Sequence, residues 1–199
     1  MSTDKNLFDD YLKKNLVRDL LFRALVWLII SGIAAYFAIH TLNIQPLDYL
    51  DQMGKSLGRL VNSVGSVSIL LCLPALMFKD LEASVKTPRY KARMGGCFAG
   101  AIRRLAGDLS LWTLGAIITL TSSFLLVATI VKLNASDCVP LLVFTATAGV
   151  MIVGVGAINF LVRRSAATPL ATSVNNPYAI SAVYGIITVL LVFIVLKQL

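Results

Sequence analysis

Five long stretches of this chain contain no Asp, Glu, Lys or Arg: Ala24 to Thr41, Leu60 to Phe78, Leu109 to Val131, Val139 to Val162 and Ala179 to Leu196. Catalysis needs titratable groups that converge on one point. Proton-coupled transport generally needs carboxylates or His inside the bilayer. These stretches supply neither, which argues against an enzyme and against a proton-coupled carrier. The only histidine, His40, falls at the rim of the first stretch. A lone His there is more often a solvated end residue than a ligand.

Cysteine is scarce too. Cys72, Cys97 and Cys138 show no CxxC spacing and have no His nearby, so neither a metal site nor a redox pair is expected. The topology below puts them in the membrane, inside and outside, so no internal disulfide is expected and small apolar filler is their reading. There is no HExxH, no GxSxG with triad partners and no Walker loop. Gly95-Gly96 lacks the frame of a phosphate loop, and Asp80, Glu82 and Asp108 are too sparse for a metal cage. No cofactor is expected.

What the chain does have is apolar length. It is 57% hydrophobic and 14% charged, where a soluble domain is about 25% charged. There is too little polar surface to face water, so lipid must be the solvent. Each charge-free stretch is 18 to 24 residues long, and crossing a bilayer takes about 20. The expected fold is all-α, a polytopic transmembrane helix bundle of five spans. A four-span arrangement would displace the weak second segment and leave the basic loop outside, unless another span were lost.

Charge orients the bundle. Five Lys/Arg precede the first span, seven lie between Lys79 and Asp108, and Arg163 and Arg164 follow the fourth span. Lys55, Arg59, Lys132 and Lys197 fall on the other side. Loops rich in Lys and Arg stay cytoplasmic, so the N-terminus is expected inside and the C-terminus outside. The same bias explains the net charge of +8 without nucleic acid.

In chain order, residues 1–23 read as a cytoplasmic juxtamembrane helix with Phe8, Leu12, Leu16 and Leu20 in a stripe, not as a signal peptide. Residues 24–78 form the first transmembrane hairpin. Its outer connection carries Leu47, Leu50, Met53 and Leu57 at helical spacing, which predicts a short amphipathic helix along the outer surface. Asn62 and Ser66 share a face of the second span, and lipid should drive that face toward protein or a conduit. Pro74 predicts a kink.

Residues 79–108 form the basic cytoplasmic loop. Lys79 to Val85 can extend the second helix inward up to the break at Pro88. Met94, Phe98, Ile102 and Leu105 then recur as a helical stripe flanked by Arg103 and Arg104, expected on the inner leaflet. Lys86, Arg89, Lys91, Arg93, Phe98, Arg103 and Arg104 are the candidate contacts to membrane lipids or to a cytosolic protein, lipid being the commoner use.

Residues 109–199 hold the other three spans. Gly115, Thr119 and Ser122 make one small, hydroxyl-bearing face, and Thr145, Gly149 and Gly156 stack on another with Asn159 beside it. Such faces pack helices closely, and less often line a pore. Turn residues dominate from Ser165 to Tyr178. Ser181 and Gly185 form a small-xxx-small pair.

Two functional classes remain. One is a homo-oligomeric scaffold or sensor that recruits a cytosolic partner through its basic inner loop. The other is a small homo-oligomeric pore or channel lined by the Thr119/Ser122 or the Asn62/Ser66 face.

The start MSTDKNLFDDYLKK, the single long basic loop and the apolar C-terminal end together resemble the membrane subunit of the two-component Kiwa anti-phage system. The resemblance is one of architecture, carried by no motif. It implies a tetrameric sensor in a bacterial inner membrane that recruits a soluble DNA-binding partner where phage attach. That family has four spans, from which five departs. Small five-span proteins of the Yip type have a similar topology.

Overall fold

The structure, a computed structural model, describes residues 16–85, 97–130, 135–164, 168–174 and 176–198. Six helices follow one another among them. They are α1 (Leu16–His40), α2 (Pro46–Ser84), α3 (Cys97–Ala128), α4 (Ala135–Arg163), α5 (Pro169–Val174) and α6 (Pro177–Gln198). All but α5 are long and apolar enough to cross a membrane. The chain is an all-α, multi-pass integral membrane protein, and the five-span count stands. The expected helix of residues 1–23 is described only from Leu16.

Local chemistry sets the helix starts. Pro46, Pro169 and Pro177 each open a helix, where the proline ring presets φ and no backbone donor is lost. Asn43 turns the chain between α1 and α2 in the left-handed region, at φ 53°. Pro74 lies inside α2, and the helix continues through it to Ser84.

α3 is the axis of the bundle. Half the residues of its apolar window are buried, against 6% in α4. α1 runs parallel to it, with Trp27 against Gly115 and Ser31 bonded to Ser122. α2 and α4 run antiparallel to it: Tyr49 meets Ser123 and Cys72 meets the Ala106 carbonyl, while Phe144 stacks on Phe124 and Asn159 reaches Gly107. α6 packs chiefly on the inner half of α2. The inner core gathers Cys72, Ala75, Leu76, Ala106, Val162, Ala171 and Ile180.

Two expectations are corrected here. The amphipathic segment does not lie along the outer surface. It is the outer arm (Pro46–Leu60) of one 39-residue helix, joined to the inner arm (Ser66–Ser84) by a single π-turn at Val61–Gly65. At 1.5 Å per residue that helix is about 58 Å long, nearly twice a bilayer core of about 30 Å. The apolar face of the arm is Tyr49, Leu50, Met53 and Leu57, with Leu47 exposed. The stretch from 79 to 108 is also mostly not a loop. Lys79 to Ser84 belong to α2, and residues 97–108 run straight into the third span instead of lying on the inner leaflet.

Candidate functional site

The outer arm of α2 builds the feature that stands out. Asp48, Asp51, Gln52, Lys55, Ser56, Arg59, Asn62 and Ser63 are all exposed and follow one face of the helix. From Asp48 to Ser63 that face extends about 23 Å. Asp51 and Lys55 pair across one turn at 2.5 Å. Asp48 and Arg59 have no counter-ion among the described residues.

The depth of this face decides what it means. The hydroxyls of Tyr49 and Ser123 are 2.5 Å apart, and Tyr49 shares a cluster with Ala35, Ala38 and Val127. On the other helices the same level is marked by exposed apolar side chains: Ile33 and Phe37 on α1, Leu142 and Val143 on α4. Those residues belong to helices long and apolar enough to cross a membrane, and the arm is level with them. Arg59, ten residues further on, sits about 15 Å deeper along the helix. Charged side chains at such depth face protein or water, not lipid.

No family model, no curated protein and no solved structure matches this chain.

A second polar layer closes the inner end of the bundle. Asp80 is fully buried and accepts from the Thr168 backbone N–H (2.9 Å), the Thr168 hydroxyl and the Tyr184 hydroxyl (2.8 Å). It pins both α5 and α6 to α2. Its neighbour Lys79, also buried, donates to the Leu161 carbonyl at the end of α4. Arg103 donates to the Val162 and Arg164 carbonyls at 2.8 and 2.7 Å. Two cations thus cap the C-terminus of α4, where free carbonyls and the helix dipole favour positive charge. Arg163 reaches Asp19 of α1 at 3.1 Å. Asn159 is fully buried and donates to the Gly107 carbonyl and the Ser110 hydroxyl, both at 2.8 Å.

The remaining predicted residues distribute unevenly. Lys86, Arg89, Lys91 and Arg93 lie outside the described residues. Phe98 and Arg104 are exposed, with the Phe98 ring edge-on to Phe78 at 6.3 Å. Arg103 is taken up by the α4 cap. Asn62, expected to point at protein or line a conduit, is on the exposed face, and Ser66 is half-buried.

The Gly115/Ser122 seam packs on α1. An added Cβ at Gly115 would lie 2.5 Å from the Trp27 ring, and Ser122 bonds Ser31 at 2.8 Å. Thr119 is half-buried. A Cβ added at Gly156 would lie 4.0 Å from Leu114, whereas one added at Gly149 or Gly185 would meet nothing within 4 Å. Sequence reasoning missed Tyr49, Asp80 and the charged face of the arm. The signal for the last was present: Tyr49, Met53 and Leu57 recur every four residues into the second span without a helix-breaking proline.

Proposed function

We propose that this chain is a non-enzymatic membrane protein whose copies assemble around a water-filled passage, lined on its outer half by the polar face of α2. The observation that carries this reading is the run of exposed charged and polar residues from Asp48 to Ser63, level with exposed apolar residues of the neighbouring helices. A single copy would press that face into hydrocarbon, which is costly for charges. Several copies with their α2 arms turned inward give it water. From the inner end of the π-turn onward the exposed residues become Val64 and Val67, and an apolar constriction of this kind gates by dewetting. Ser122 is bonded to Ser31 and leaves the lining to α2.

Cysteine accessibility tests it. Cysteines introduced by Ser56→Cys and Asn62→Cys react with water-borne methanethiosulfonates in membranes. Those from Ile33→Cys and Val150→Cys, on apolar exposed faces, stay inert. Four equally inert positions would refute the passage.

A second reading keeps the inner face as a docking scaffold for a cytosolic partner. What favours it is rigidity: Phe78–Phe98, Lys79 and Arg103 fix both stems from which residues 86–96 emerge. The Kiwa resemblance adds an anti-phage sensor of four copies and a DNA-binding partner to this reading. Charge reversal at Arg89 and Lys91 then releases a co-purifying protein, and retention of that protein would count against it. The two readings are compatible in one assembly.

A further inference from the structure

The passage has a sign. Resting on the reading that the α2 face meets water, we infer that its deep end is a site for small inorganic anions, built by Arg59 from each copy. Along the face the charges are Asp48 at the outer mouth, the Asp51–Lys55 pair, and Arg59 deepest. The pair is closed by its own 2.5 Å contact and presents little net field. Asp48 stands at the outermost position of the face, nearest the opening of the passage, where salt screens it more than it screens Arg59. Arg59 lies some 15 Å further in than Tyr49, with low-dielectric walls around it, so its field is screened least.

The neighbours of Arg59 fit the same ligand. Asn62 and Ser63 follow within one turn on the exposed face. The Ser63 hydroxyl donates to the Arg59 carbonyl at 2.7 Å, which ties the π-turn to this residue. Inward of them Val64 and Val67 are exposed and offer an ion nothing. An anion drawn down the polar face therefore halts at Arg59, with the Asn62 amide within one turn as a further donor. Rings of Arg select anions in pores by this electrostatic means.

The test reads local potential and does not require an open gate. A cysteine is introduced by Ser63→Cys in full-length protein carrying Cys97→Ser and Cys138→Ser, reconstituted in vesicles. Its reaction rates with negatively charged sulfonatoethyl and positively charged trimethylammonium-ethyl methanethiosulfonate are each normalised to a free thiol in solution. The expected ratio favours the negative reagent several-fold. Arg59→Lys keeps that preference, Arg59→Gln abolishes it and Arg59→Glu inverts it, while Asp48→Asn changes it little. A preference for the positive reagent, or a ratio indifferent to Arg59→Glu, overturns the anion site and leaves the passage standing. A cysteine inert to both reagents, with Ser56→Cys inert too, overturns the passage itself.

Discussion

Replacing Gly115 by alanine tests the axis of the bundle. The new Cβ would lie 2.5 and 2.6 Å from two carbons of the Trp27 indole and 2.9 Å from its nitrogen. Carbon pairs rest at about 3.5–4.0 Å, so the ring or the helix must retreat by about 1 Å. Overpacking of this kind costs about 1–3 kcal/mol. Helix propensity opposes it, since Ala is better than Gly by about 0.8–1.0 kcal/mol. The clash wins because a two-ring side chain between helices has no short path out. The net loss is about 0–2 kcal/mol, or up to roughly 8 °C in Tm at about 2–4 °C per kcal/mol. The assay is thermal unfolding in one detergent, followed by loss of monodisperse elution. Gly149→Ala is the control, because nothing lies within 4 Å of its added Cβ. It should be neutral or raise Tm. Trp27→Leu combined with Gly115→Ala should fall less than the sum of the single losses, with a coupling of about 1 kcal/mol or more. If Gly115→Ala proves as benign as Gly149→Ala, α1 does not dock on α3 in this register.

Asp80→Ala leaves the Thr168 N–H, the Thr168 hydroxyl and the Tyr184 hydroxyl without their acceptor. A loss of about 3 kcal/mol or more follows from three such bonds, and trypsin should cut after Arg164 faster in the variant. Lys79→Met strips a donor from the end of α4 and should cost about 1–3 kcal/mol, read in the same melts. Ser31→Ala removes one interhelical hydroxyl bond and should cost only about 0.6 kcal/mol, the mean for such bonds in a membrane protein. Tyr49→Phe should lower stability and slow reaction at the Ser56→Cys position if the arm loosens from Ser123; an unchanged melt would show that the 2.5 Å contact contributes nothing.

Five charge-free runs were enough to read the helices, because their length against bilayer thickness leaves few alternatives. The partners of the helices were less legible. Gly115 reads as part of a small face, but the ring that fills it is Trp27, which reads equally well as an interfacial aromatic. Asp80 follows Phe78 and Lys79 directly, so linear order places it at the start of a loop. Only the fold shows Thr168 and Tyr184, 88 and 104 residues further on, closing over it. The turn-like residues after Arg164 conceal the short helix Pro169–Val174 for the same reason: a six-residue helix is too short to show a period and is held by that carboxylate. The charges of the outer arm suggest a surface helix, whereas its apolar residues keep phase with the span that follows.

The way α6 is held has a consequence for biogenesis. Its main support is the inner arm of α2, and the donor it brings is the Tyr184 hydroxyl. The earlier spans can therefore assemble around α3 while the last one is still being synthesised. Until Tyr184 arrives, Asp80 is a carboxylate short of one donor. A stalled nascent chain carries an incompletely satisfied charge on its rim, and insertion of the final helix removes it.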